Sequence, residues 1–160
     1  MAEIRTQHVC GKYGRIIPLR LFPGTDLMNG IKKVCEDNGV RYGNLISAIG
    51  SLRQVTFQVL VPNEKAKMGA AYTEPATIPG PIEILGIQGI IFETDTGETV
   101  LHLHGTFCDK DGKTFGGHIV PGENPILATL DAVIGEIADV KLMRRDNEEV
   151  GLPLFSPEKP

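Results

Sequence analysis

With 160 residues, of which 22% are charged, the chain has the size and composition of one globular domain that folds without disulfides. Its 16 basic and 20 acidic residues give a formal net charge of −4, which argues against a surface that neutralises nucleic-acid phosphates. No run of about 18 apolar residues occurs, and the three cysteines form no C-x-x-C pair, so the composition predicts a soluble, cytoplasmic protein with no membrane partner.

The first predicted elements are a strand and a helix. Residues 13–22 alternate apolar and polar side chains around Pro18, which is typical of a strand at a sheet edge or with a bulge. Thr25 or Asp26 can cap the helix that follows, because apolar residues then recur at helical spacing until Gly39.

The next part of the chain predicts strands and one long loop. Residues 44–60 are rich in apolar and β-branched side chains and are interrupted at Gly50, which indicates two strands joined by a tight turn. Residues 62–81 contain four prolines and predict a long loop of the kind that forms lids and rims. Residues 82–92 return to strand character, and Glu83 is either a solvated carboxylate or a polar group aimed at a site.

Three of the four histidines follow within a predicted hairpin. Residues 100–107 form a strand in which His102 and His104 share one face, because side chains alternate with period two. If residues 110–112 are a three-residue loop with Gly112 in the left-handed conformation, the register of the hairpin is set. The numbers of any two residues that face each other across the two strands then add up to 222. His118 then lies directly opposite His104, about 4.5–5.5 Å away between Cβ atoms.

Three neutral imidazoles on one face suit zinc or another divalent transition metal, with a position left open to water or a small ligand. Two alternatives stay open. A two-residue loop, or a bulge at Gly116 and Gly117, would turn His118 away. The histidines could also form a hydrogen-bonded, half-buried patch without metal.

The remaining segments carry weaker signals. Residues 126–137 fit a helical face and a strand alternation equally, with Gly135 weakening the helix. The basic residues Lys141, Arg144 and Arg145 are followed by acidic ones and predict an ordinary solvated edge. The proline-rich segment from Leu152 onward predicts a non-regular, flexible C-terminal tail.

Six segments in this order resemble the PPC (plants and prokaryotes conserved) domain, over residues 6–155. They are RLFPGTD (20–26), AIGS (48–51), IEIL (82–85), HLH (102–104), GGH (116–118) and RDNEEVG (145–151).

The resemblance implies a single α+β domain with a largely antiparallel sheet and a few flanking helices, assembled as a homotrimer. It also implies that residues 127–137 form a strand, that His102, His104 and His118 bind a metal usually assigned as zinc, and that Glu83 occupies a recurring acidic position. Plant members join this domain to AT-hooks and bind DNA, but this chain contains no AT-hook, so DNA is a partner by analogy alone.

Two functions from different classes fit these features. The first is a metal-dependent enzyme or small-molecule binder, with Glu83 as the candidate proton-handling residue and Glu123 as the second choice. The second is a trimeric DNA-binding or regulatory interaction module in which the metal is structural, since the sequence carries no nucleophile motif, phosphate loop or dinucleotide fingerprint.

Overall fold

The structure, a computed structural model, describes residues 3–160. Within that range the chain folds into ten strands and one helix. The elements are β1 (Lys12–Leu21), α1 (Leu27–Asp37), β2 (Gly43–Gln58), β3 (Leu60–Pro62), β4 (Ala70–Tyr72), β5 (Ala76–Glu93), β6 (Thr99–Cys108), β7 (Thr114–Ile119), β8 (Ile126–Ala138), β9 (Lys141–Asn147) and β10 (Leu152–Glu158).

Eight of these strands form one sheet, in the order β1-β8-β2-β7-β6-β5-β9-β10, and β3 and β4 form a separate hairpin. The pairing is antiparallel except for one parallel bridge between β5 and β9. Strand β2 pairs with both β5 and β7, so β2, β5, β6 and β7 close a ring. The predicted single α+β domain with a largely antiparallel sheet is confirmed, although the described residues contain one helix rather than a few.

The helix begins where the sequence predicts. Asp26 is its N-cap, and its carboxylate accepts a hydrogen bond from the backbone N–H of Asn29 at 2.9 Å. The same carboxylate accepts hydrogen bonds from the N–H groups of Gly122 and Asn124, which ties the helix start to the loop before β8. Nowhere from residue 3 to residue 160 is there a helix with the length and apolar character that crossing a membrane demands.

The larger of two hydrophobic clusters fills the space between the sheet and the helix. Apolar side chains that point inward from successive strands meet the buried face of α1, and most of them are fully shielded from solvent. On β6 the inward residues are Leu101, Leu103 and Phe107, with Leu103 and Phe107 at 0% exposure. Because side chains on a strand alternate, the residues between them must face outward.

Residues 44–60 contain one long strand rather than two strands joined at a turn. Gly50 pairs with Leu130 on one side and with Ile84 on the other, so the chain runs straight through this position. The register with β8 shifts between Gly50 and Leu52, which marks an irregularity of the kind a β-bulge produces. The glycine therefore allows a close strand approach, since a Cβ there would lie 2.1 Å from the carbonyl oxygen of Thr129.

Half of the predicted loop over residues 62–81 is strand. It contains β4, and β5 already begins at Ala76. Proline argues against a central strand because it cannot donate to the ladder. Here Pro79 pairs with Gln54, directly beside the register shift between Leu52 and Gln54, and Pro81 falls within that same irregularity. A bulge tolerates the missing N–H groups, and the sequence does not reveal the bulge.

The C-terminal segment is also regular, contrary to the prediction. Residues 152–158 form β10, which pairs with β9 throughout and is the last strand of the sheet. Pro153 and Pro157 are compatible with this position because an edge strand has one side without ladder bonds. In contrast, the strand implied for residues 127–137 is confirmed as β8, and β1 combines an edge position with a register shift between Tyr13 and Ile16.

Candidate metal centre

The turn between β6 and β7 has the predicted three-residue geometry. Gly112 adopts a left-handed backbone with φ of 77°, which costs glycine little. The N–H of Asp109 donates to the carbonyl of Lys113 at 3.1 Å, and the Asp109 side chain accepts from the N–H of Lys113 at 2.9 Å. Cys108 then pairs with Thr114, so paired numbers sum to 222 as expected.

This register places His104 directly opposite His118. No shift interrupts the pairing through Gly116 and Gly117, so the bulge considered above is absent from this hairpin. His102 and His104 lie on the solvent side of β6, where they alternate with the inward residues Leu101 and Leu103. The three rings therefore converge on one outer face of the closed ring of strands.

The spacing of the nitrogens is the spacing that a shared metal requires. Nε2 of His104 lies 3.1 Å from Nε2 of His102 and 3.4 Å from Nδ1 of His118. The ligand atoms of all three residues lie within 4.8 Å of one another. Two nitrogens bound tetrahedrally to zinc at about 2.0–2.1 Å are about 3.3 Å apart, so the two short distances fit one ion. The donor set suits zinc, and other transition ions accept imidazole too.

The environment favours neutral rings. Partial burial, followed by the charges of His102, His104 and Arg144, lowers the pKa of His118 to about 4. Partial burial, His104 and Arg144 also lower the pKa of His102. Since only the neutral imidazole has a lone pair for a metal, these two rings are available as ligands at neutral pH.

Two cavities flank the histidines. His104 borders one of about 670 Å³ with a floor rich in glycine, where Gln88 is the cross-strand neighbour of His104. His102 and His118 border the other, of about 640 Å³ and mostly apolar. Tyr72 of β4 contacts the edge of this second cavity, with its ring centroid 5.0 Å from that of His118.

The candidate proton-handling residues are not brought to the histidines. Glu83 pairs with Cys108, four residues along β6 from His104, a separation of about 13 Å at the rise of a strand. It borders a different depression, together with Lys110 and Leu127. Glu123 is exposed in the loop before β8, where its backbone carbonyl accepts a hydrogen bond from Gln54. Neither carboxylate borders either histidine cavity.

Two residues that lie near the histidines were not predicted from the sequence. Tyr72 lies in a segment predicted to be a loop, and nothing in its local pattern signals the β3–β4 hairpin. Arg144 belongs to the basic cluster predicted to be an ordinary edge, but it lines the apolar cavity with His102 and His118. The alternation of β9 could have shown that Arg144 and Arg145 face opposite sides.

Comparison with known sequences identifies one family. The sequence model of the Plants and Prokaryotes Conserved (PCC) domain matches residues 8–138. The bifunctional protein GlmU of Synechococcus sp. (strain JA-2-3B'a(2-13)) is 30% identical over 137 residues, which covers 86% of this chain and 19% of GlmU. GlmU of Synechococcus sp. (strain JA-3-3Ab) is 29% identical over the same length and is covered to 20%. The chain thus spans about a fifth of these curated relatives.

Comparison with solved structures confirms the fold. A metal-containing protein from Archaeoglobus fulgidus superposes with a TM-score of 0.79 at 24% identity, over 94% of this chain and 99% of that one. A PPC protein from Pyrococcus horikoshii gives a TM-score of 0.77 at 23% identity, over 97% and 100% of the two chains. A candidate DNA-binding protein from Bacteroides thetaiotaomicron gives 0.73 at 21% identity, over 91% and 96%.

Proposed function

This chain belongs to the Plants and Prokaryotes Conserved domain family, and we propose that it is a metal-binding protein whose His102, His104 and His118 hold one divalent transition ion, with zinc as the first candidate. The observation that carries the proposal is the pair of nitrogen distances, 3.1 and 3.4 Å, about a common atom of His104. The similarity in fold to a metal-containing protein of Archaeoglobus fulgidus supports it.

A hydrogen-bonded histidine patch is the competing explanation for these distances. One shared proton accounts for one short contact between two rings, but here Nε2 of His104 makes two such contacts. Both partners also have a pKa below its usual value, which argues against a stabilising imidazolium in the cluster. A divalent cation satisfies all three lone pairs at once.

The site favours ligand binding over proton transfer by a carboxylate. A divalent ion on three imidazoles supplies Lewis acidity and leaves a position for water or a small ligand. General acid–base catalysis by a carboxylate needs that carboxylate within about one hydrogen bond of the reacting atoms. Among the residues that border the two histidine cavities none is a carboxylate, and Glu83 lies about 13 Å along the strands. We therefore place the protein among metal-dependent binders of small molecules.

Elemental analysis tests the metal directly. Protein purified without added metal should contain close to one equivalent of a transition ion, and the His102→Ala/His104→Ala/His118→Ala variant should contain none. The single variant His8→Ala is the control, because His8 is the fourth histidine and lies outside the cluster. An equal metal content in the triple variant would refute the site.

A panel of esters, phosphoesters, amides and lactones should show no turnover that His104→Ala abolishes.

Assembly into a homotrimer is the second part of the proposal. Tyr13 and Ile46 are 58% and 40% exposed, and both contact the same position above Gly135. Ile16 and Ile49 on the same two strands are 51% and 56% exposed. Exposed apolar side chains that adjoin, as those of Tyr13 and Ile46 do above Gly135, are typical of surfaces that subunits cover. Light scattering should give three times the 17.3 kDa chain mass, and Ile49→Glu should lower it.

A trimeric DNA-binding module with a structural metal is the alternative function. Its support is the similarity in fold to candidate DNA-binding proteins of Bacteroides thetaiotaomicron and Ralstonia eutropha. The net charge of −4 opposes it, because duplex binding depends on phosphate neutralisation. A salt-dependent shift of duplex DNA at moderate ionic strength would favour this alternative.

We also place the protein in the cytoplasm, since Cys10, Cys35 and Cys108 lie far apart in sequence and are odd in number.

A further inference from the structure

The apolar cavity beside His102 and His118 lies between two hairpins. Leu60, Met68 and Tyr72 line it from the β3–β4 hairpin, and Leu152, Leu154 and Phe155 line it from β10. Lys67 at the turn of the first hairpin donates a hydrogen bond to the carbonyl of Glu148 at the turn of the second, which joins the two walls. The volume of about 640 Å³ lies within the range of small-molecule sites.

The cavity has one cationic end. Arg144 lines it together with His102 and His118. Within residues 3–160, no carboxylate pairs with Arg144, whereas the adjacent Arg145 is held by Asp95 and Glu158. A guanidinium without a protein partner keeps its donors available for a ligand.

Among the described residues no acidic side chain lines the cavity, so nothing in the lining offsets the charge of Arg144. A divalent ion on the histidines would add to that charge. Aliphatic and aromatic side chains make up the rest of the lining, apart from the phenol of Tyr72. The matching ligand carries one anionic group at the histidine end and an apolar body between the hairpins.

We propose that this cavity binds an organic monocarboxylate, with its apolar body between the two hairpins and its carboxylate between Arg144 and the ion that the histidines would hold. The proposal deepens the metal-dependent binding function and rests on it for part of the positive charge. A carboxylate can form a bidentate pair with the guanidinium of Arg144.

Titration calorimetry on the zinc-loaded protein tests this inference with octanoate as the probe. We expect octanoate to bind, butanoate to bind at least tenfold more weakly, and the neutral octan-1-ol to bind at least tenfold more weakly as well. The chain-length effect follows from about a fourfold gain for each methylene that is fully buried. Arg144→Gln should weaken octanoate binding about tenfold. Arg53→Gln, which removes the same charge outside the cavity, should leave it unchanged.

Two further measurements separate this inference from the metal centre. Leu154→Asp places a carboxylate in the cavity wall at a position that is 40% exposed, so the variant should fold with an unchanged melting temperature and lose octanoate binding. Elemental analysis of the same samples reports the metal. If the metal is bound but octanoate binds no better than butanoate or octan-1-ol, or if Arg144→Gln behaves like Arg53→Gln, the cavity inference is overturned and the metal centre stands. Absence of metal from the wild type overturns the metal centre instead.

Discussion

Metal-linked stability is the sharpest test of the histidine site, with His104→Ala as the perturbation. His104 is the residue whose Nε2 lies 3.1 and 3.4 Å from the ligand nitrogens of the other two histidines. Its removal therefore leaves only the two nitrogens of His102 and His118 to hold the ion. Its side chain is exposed, and we expect the metal-free variant to unfold within about 0.5 kcal/mol of the metal-free wild type.

The expected size of the zinc effect follows from the thermodynamic linkage between zinc binding and folding. A ligand that binds only the folded state at 100 times its dissociation constant stabilises that state by about 2.7 kcal/mol. For a chain of this size each kcal/mol raises the melting temperature by about 2–4 °C. Zinc should therefore raise the wild-type melting temperature by about 5–10 °C, and the same zinc concentration should leave His104→Ala unchanged.

Differential scanning calorimetry measures both proteins after chelation and after zinc addition. His8→Ala is the matched control, since it removes a histidine outside the cluster and should keep the full zinc response. A zinc-induced rise in His104→Ala equal to that of the wild type would refute the role assigned to His104. A wild type that binds zinc without any rise would show that the site already forms, with equal affinity, in the unfolded chain.

Three further changes test the fold around the site. Leu103→Ala removes a side chain with 0% exposure from β6 and should cost about 2–5 kcal/mol in urea denaturation, whereas Leu85→Ala, at 50% exposure, should cost less than about 0.5 kcal/mol. Gly117→Ala would put a Cβ 2.4 Å from the carbonyl of Gln58, so β7 must shift and zinc affinity should fall at least tenfold by competition with a chelator. Gly86→Ala meets open space and should bind zinc like the wild type. Arg15 holds the pKa of Glu136 at about 2 through its side-chain hydrogen bonds, so the stability from this pair is complete above about pH 4.5 and is lost as the pH falls towards 2. Glu136→Gln should consequently differ from the wild type at pH 6.5 and match it near pH 2 in urea unfolding. Equal costs for the two leucine variants, equal zinc affinity for the two glycine variants, or a pH-independent difference for Glu136→Gln would contradict these explanations.

The hairpin shows how far local sequence rules reach. Alternation along β6, the Asp111-Gly112 turn signal and the parity of a three-residue loop together predict the pairing of His104 with His118. Each of these rules involves residues close together in the chain, and the structure agrees with all of them. The helix cap at Asp26 was predicted for the same reason.

The failures depend on strand pairing, with a distant strand for residues 76–81 and with the preceding strand for the tail. Pro79 is tolerated in β5 because β2 is irregular at that point, and the tail becomes a strand because β9 offers it an edge. Propensity describes a segment in isolation, whereas strand pairing supplies hydrogen bonds that a local rule does not include. The loop and tail predictions were wrong for that reason.

By itself, the sequence determined the three imidazoles, their common face and the register that brings them together, because a two-residue side-chain period and a short turn fix neighbours within one hairpin. Only the tertiary structure decided what surrounds them. It placed Glu83 along the strands from the histidines, and it brought Tyr72 and Arg144 to them from segments far away in the chain. The ligands of the site are set by local geometry, but its cavity is set by packing between hairpins, which no local pattern encodes.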